Sequence, residues 1–120
     1  MSKKTVVLGA STNPSRYSNL ATKRLSANGH EVVPVGIRKG DIEGIDIQPV
    51  STKVDEVDTI TLYLNPTLQK EYYDYILGLK PKRIIFNPGT VNLELLNLAK
   101  AEGIETVYAC TLVMLSIGDY

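Results

Sequence analysis

The sequence predicts a Rossmann-like α/β fold: a doubly wound parallel sheet of about five strands with helices on both faces. Three features carry this. Short aliphatic or β-branched runs alternate with segments of helical period along the whole chain. The runs are almost entirely apolar, as strands covered on both faces must be. The first run, Thr5-Val6-Val7-Leu8, meets Gly9 at once, and a small-residue loop then leads into a helix.

The loop Gly9 to Ser15 is followed by a helix expected over Ser18 to Asn28, with Leu20, Ala21 and Leu25 on its apolar face and Asn28-Gly29 as its stop. Glu31 to Val35 is the second strand; Pro34 inside it removes a donor, so a ladder bond is missing or the strand ends there. Gly36 to Gly44 is a charged loop with three glycines, and Ile45-Asp46-Ile47 reads as a short strand or an extended connection. One helical turn is expected over Lys53 to Val57, then a strand over Thr59 to Leu64. Asn65 caps the next helix with Pro66 at its first position; Leu68, Tyr72, Tyr75, Ile76 and Leu79 recur along it at helical spacing. Lys82 to Phe86 is a strand, Asn87 to Thr90 its exit loop, and Asn92 to Glu102 a helix ending at Gly103. Thr106 to Cys110 is the last strand, and the apolar tail after it reads as a short helix that packs on its own sheet or on a second copy.

The 120 residues suffice for one domain with a hydrophobic core. Thirteen basic and thirteen acidic residues balance, whereas a general nucleic-acid binder carries a basic surplus; no nucleic-acid partner is expected. Cys110 is the only cysteine, so neither an intrachain disulfide nor a cysteine zinc site is available. Val6-Val7-Leu8 is too short for a signal peptide or membrane span. A cytoplasmic protein without membrane attachment is the expectation.

Ligands of open parallel sheets bind beyond the carboxyl ends of the strands. Those exits here are Gly9-Ala10-Ser11, Gly36-Ile37-Arg38-Lys39, Asn65-Pro66, Asn87 to Thr90 and Cys110-Thr111. Small residues let a ligand approach the backbone, and the helix after the first exit turns its positive end toward an anion. The first loop is neither G-x-G-x-x-G nor a Walker loop. Its plainer reading is a sharp turn with Ser11, Thr12 or Asn13 capping the helix. At the second exit, an NAD site wants a carboxylate for the ribose hydroxyls; Arg38-Lys39 stands there instead, suited to a phosphate on the adenosine ribose, as in NADP or coenzyme A. An ordinary solvated charge pair is the alternative. Arg16 is placed to reach a pyrophosphate or to lie on the surface.

The Gly9-Ala10-Ser11 loop running on to Pro14, Arg16 and Ser18, Pro34-Val35 before a basic loop, the Gly40 to Gly44 stretch, Asn87-Pro88-Gly89 and the closing cysteine together resemble the small stand-alone CoA-binding domain proteins. These are similar to the N-terminal domain of the succinyl-CoA synthetase α subunit. The resemblance implies a single CoA-binding domain over residues 1–120. It implies that Gly9, Ala10, Ser11, Pro14, Arg16 and Ser18 line the CoA pyrophosphate. Val35, Gly36, Ile37, Arg38 and Lys39 would surround the adenosine and its 3′-phosphate, with Asn65, Pro66, Pro88 and Gly89 further along the crevice. The sequence departs from the family at Gly36-Ile37, where Asn-Pro is common, and at Phe86-Asn87, where Trp and Gln are common.

Catalytic equipment is sparse. The synthetases use a phosphorylated histidine in a second domain, whereas His30 lies at the amino end of the second strand and reads as a surface turn residue. No paired carboxylates or metal-ligand spacing mark the exits. Cys110 either faces the crevice, where a thiolate could join a CoA thiol in a mixed disulfide, or is a small buried apolar residue. The expected function is a non-catalytic CoA or acyl-CoA module, possible as a homodimer or as the partner of an enzyme subunit. An NADP-dependent oxidoreductase fragment, a ligase subunit, and an interaction domain that has lost its ligand are the alternatives.

Overall fold

The computed structural model describes residues 2–120. In chain order the elements are β1 (Thr5–Leu8), α1 (Tyr17–Ala27), β2 (Val32–Val35), β3 (Asp41–Ile42), β4 (Ile45–Asp46) and β5 (Thr59–Leu62). Then come α2 (Pro66–Gln69), α3 (Tyr73–Gly78), β6 (Arg83–Phe86), α4 (Leu93–Ala101), β7 (Glu105–Tyr108) and α5 (Thr111–Ser116). Five strands form one parallel sheet in the order β2-β1-β5-β6-β7. The chain leaves β1 toward β2 on one side and returns to β5 on the other, so the switch point lies between β1 and β5.

Alternation along the strands feeds two cores. Val6, Leu8, Ile60, Leu62, Ile84 and Phe86 join Ile76, Leu95 and Ala99 on the face of α3 and α4. Val7 joins Ala10, Leu25, Ile42 and Ile47 on the face of α1. Thr5, Thr59 and Thr61 are also fully buried, so the sheet interior is not purely apolar.

Pro34 does not end its strand. The carbonyls of Glu31 and Val35 face β1, which turns Pro34 outward; its carbonyl accepts from the Gln48 amide, and the Gly36 amide donates to Gln48. The missing donor therefore points to the outer edge, where proline is tolerated. Gln48 makes a single parallel bridge with Val35, a vestige of a sixth strand.

Three expectations need correction. Lys53 to Val57 is not helical, because Asp55-Glu56 forms a bend with Glu56 at φ +56°, a conformation no right-handed helix continues through. The helix opened by Asn65 is broken: a 3-10 turn at Lys70–Tyr72 separates α2 from α3. Cys110 is not in the last strand; β7 ends at Tyr108 and Cys110 is the residue preceding α5. The Gly36 to Gly44 loop also contains a strand, β3, which pairs with β4, the short strand expected at Ile45-Asp46, in a hairpin. Its turn residues, Glu43 and Gly44, both have positive φ, as a two-residue hairpin loop demands.

His30 is half-buried rather than a free turn residue: its Nδ1 accepts from the Lys3 amide at 2.9 Å and its ring lies 4.9 Å from that of Tyr120. Burial, then the nearby Lys3 charge, holds the imidazole below the ordinary histidine value of 6.5. The folded state therefore binds fewer protons than the unfolded state as the pH falls. His30 contributes stability fully above about pH 6.5, and this is lost as the pH falls through its lowered folded value. Urea midpoints should drop between pH 7.5 and pH 5, and His30→Gln should flatten that drop; an unchanged slope would rule His30 out as its source.

Candidate anion-binding shelf at the switch point

The first loop is held by its neighbours before any ligand is considered. The Val35 carbonyl accepts from both Gly9 and Ala10 amides, at 2.9 and 3.0 Å. Those two amides, expected to face a phosphate, are thereby committed to β2. Asn19, 2% exposed, donates from Nδ2 to the Ser11 carbonyl at 2.9 Å. Ser11 Oγ accepts from the Asn13 amide, while Asn13 Oδ1 accepts from the amide and hydroxyl of Ser15. The Ser11 and Asn13 side chains thus shape the loop itself, and neither caps α1. Arg16 is the N-cap residue, extended and without a side-chain cap.

Two further exits lean on this loop. A Cβ on Gly36 would stand 2.5 Å from the Ala10 carbonyl oxygen, so only glycine permits that approach. Gly40 lies against the Thr12 methyl group. The segment Ile37-Arg38-Lys39 is pinned at both ends beside residues 10–12, and all three of its residues are exposed. On the other side, Gly9 at φ +100° sits against the Tyr63 backbone, where a Cβ would approach to 3.0 Å. The exits of β2, β1 and β5 are therefore neighbours across the switch point.

A buried polar brace extends the row to β6. Gln69, 0% exposed, donates to the carbonyls of Leu64 and Thr90 and accepts from Asn92 Nδ2. Asn92 caps α4 through the amides of Glu94 and Leu95. Asn65 caps α2 as expected, its Oδ1 accepting from the Leu68 amide, with Pro66 next in line. Pro88 and Gly89 form an exposed turn. Asn87 is buried: Nδ2 donates to Thr61 Oγ1 and the Leu62 carbonyl, and Oδ1 accepts from the Thr111 amide. Asn87 thus ties β5, β6 and α5 together from within.

What is left for a ligand is specific. Among the described residues, the amides of Ser11, Thr12, Tyr17 and Ser18 have no partner within the protein. Arg16 immediately precedes α1, Arg38 and Lys39 lie in the segment between Gly36 and Gly40 that packs beside residues 10–12, and the one ion pair found among the described residues, Lys4–Glu31, lies elsewhere. Open amides at a helix start, with unpaired cations beside them, suit a phosphate group. Val35, fully buried, acts through its carbonyl; Ala10 and Ser18 are nearly buried, and Pro14 is exposed.

Sequence reading missed Asn19, Tyr63 and Gln69. Tyr63 lies beside the Thr61, Thr111 and Cys110 side chains, and burial pushes its phenol up to about 12, so it stays protonated. Its hydroxyl is buried without a hydrogen-bond partner. Cys110 is half-buried. Among the described residues no His, Cys, Asp and Glu cluster suits a metal, and no helix is long and apolar enough to cross a membrane.

A parallel α/β sheet with an anion-suited loop at its switch point defines a broad class of ligand-binding domains. Within that class, the family model of the CoA binding domain matches residues 3–116, and the chain belongs to that family. A crystal structure of an uncharacterized protein is 51% identical, covers 100% of this chain and 99% of its own, and superposes with a TM-score of 0.97. A hypothetical protein from Pyrococcus horikoshii OT3 is 26% identical over 97% of this chain and 83% of its own, with a TM-score of 0.88. A conserved hypothetical protein from Pyrococcus furiosus is 28% identical over 88% of this chain and 91% of its own, with a TM-score of 0.77. Comparison with curated proteins gives no match.

Proposed function

We propose that the chain is a coenzyme A or acyl-CoA binding module without catalytic activity of its own, working in the cytoplasm as a single domain. The four open amides of Ser11, Thr12, Tyr17 and Ser18 carry this reading. They form a donor set suited to the negative charge of the CoA pyrophosphate. Arg16 is the cation nearest the helix start. Arg38 and Lys39 take the 3′-phosphate, a group that rewards paired cations with strong hydrogen bonds. Ile37 lies against the adenosine, and Asn65, Pro66, Pro88 and Gly89 border the path of the pantetheine arm. Membership of the CoA-binding family supports the choice of ligand. Small residues along the shelf and the absence of paired carboxylates there support a binding role over hydrolysis.

Calorimetric titration of CoA, 3′-dephospho-CoA and NADP tests this. Loss of the 3′-phosphate should weaken binding tenfold or more, about 1.4 kcal/mol. Tighter binding of NADP than of CoA would transfer the site to an oxidoreductase role, and no binding by any of the three would leave an interaction domain. Arg38→Ala with Lys39→Ala should weaken CoA about tenfold and leave dephospho-CoA nearly unchanged. Equal losses for both ligands would count against the assigned role of the pair.

A further inference from the structure

The two edges of the five-stranded sheet are finished differently. At β2, Pro34 turns its missing donor outward, and Gln48 covers the edge through the Pro34 carbonyl and the Gly36 amide. At the other side, β7 pairs with β6 alone. The amides of Glu105 and Ala109 donate to the Lys82 and Phe86 carbonyls of that neighbour. Backbone groups alternate in direction along a strand, so Val107 also faces β6, and the amides and carbonyls of Thr106 and Tyr108 face outward. None of these outward groups has a partner among the described residues.

Sheets blunt an open edge with proline, lysine or a bulge. Glu105-Thr106-Val107-Tyr108 has none of these devices. It offers two β-branched residues and an aromatic one, and Tyr108 is 70% exposed.

The hydrogen-bond pattern of this edge selects its own complement. In an antiparallel pair, residues that exchange both bonds must each face outward. With a twofold axis through Val107, Thr106 of each copy stands opposite Tyr108 of the other, and every open amide and carbonyl is paired. An axis one residue earlier would set Ile104 opposite Tyr108, but the Ile104 amide already donates to the Ala99 carbonyl. An axis one residue later would set Cys110 opposite Thr106, but the Cys110 carbonyl already accepts from the Met114 amide. The side chains agree with the first register. Tyr108 packs across from a β-branched threonine, a pairing that stabilises sheets. Val107, on the sheet face of Val7, Thr61 and Ile85, meets its own copy. Glu105, the one charge of the strand, falls opposite Ala109, so no like charges meet.

We propose that the β7 edge is a docking surface for a second copy of this chain, joined antiparallel about a twofold axis through Val107 into one continuous sheet. The two α4 helices then share one face of that sheet, and the two shelves lie at its opposite ends. So short a contact makes a weak, concentration-dependent dimer. The dimer does not depend on what the shelf binds.

Sedimentation equilibrium of the full chain from about 5 µM to about 0.5 mM, a range that brackets such affinities, should show monomer passing to dimer. Thr106→Pro removes only an outward donor, as Pro34 does on β2. It should leave the melting temperature within about 3 °C of wild type and abolish the dimer. If Thr106→Pro does not fold, Thr106→Lys with Tyr108→Lys takes its place, setting like charges opposite each other at both pairs. Crosslinking tests the register. In a Cys110→Ser background, Val107→Cys brings two thiols across the axis, where Cα atoms of a non-hydrogen-bonded pair stand about 4.5 Å apart, within disulfide reach. Copper-phenanthroline catalysis of thiol oxidation by dioxygen should then give a disulfide-linked dimer on non-reducing electrophoresis. Glu105→Cys, opposite Ala109, should give at most about a fifth as much. A monomer throughout the range, a dimer that the edge variants leave intact, or equal crosslinking at positions 105 and 107 overturns the proposal.

Discussion

Gly36→Ala should lower stability by about 3 kcal/mol, a fall of roughly 10 °C in melting temperature, and should remove CoA binding. The added methyl would stand 2.5 Å from the Ala10 carbonyl oxygen, a backbone atom with little freedom to retreat. Ala10 is also tied to β2 by the hydrogen bond of its amide to the Val35 carbonyl. Relief thus requires pushing the first loop off β2, which spoils the alignment of the Ser11 and Thr12 amides. Differential scanning calorimetry and a CoA titration measure the two consequences. A variant that melts like wild type and binds CoA equally well would show that the close packing of Gly36 on the loop is dispensable. The glycine at position 36 is thus explained by the loop it supports.

Asn87→Leu should cost about 3–5 kcal/mol, because the leucine leaves the Leu62 carbonyl and the Thr111 amide buried without partners. Thr61 Oγ1 keeps its bond to Thr111 Oγ1 at 2.8 Å, which limits the damage. The urea midpoint should fall with an unchanged denaturant slope. A loss below 1 kcal/mol would mean that water or a small shift of α5 satisfies the network.

The strands and the first loop were legible in the sequence because their signals are local. Thr5 to Leu8 and Arg83 to Phe86 are apolar runs of strand length, and Asn65-Pro66 is a cap followed by a fixed φ, both readable without knowing any neighbour. The same holds for Asn92, whose side chain accepts from the Glu94 and Leu95 amides. The bonds that matter most to the shelf were not legible, since they cross between strands. Which amides of the first loop stay open depends on the β1–β2 register, which hands Gly9 and Ala10 to the Val35 carbonyl. Gln69 looks like a surface helix residue by type, yet it is fully buried, because three polar partners from two other loops converge on it. The strands of the β3–β4 hairpin are two residues long, too short for periodicity to register. Arg83 and Tyr120, 37 positions apart, meet only once the tail has folded back beneath the sheet.

Amide chemical-shift mapping during titration with CoA locates the ligand without altering the protein. Saturable changes should centre on Ser11, Thr12, Tyr17 and Ser18, with a second group at Ile37, Arg38 and Lys39. A cavity of about 630 Å³ lies away from these residues, along Val32 to Pro34 and Thr52 to Asp55. Shifts concentrated there, with the start of α1 silent, would contradict the placement of the phosphates at the switch point.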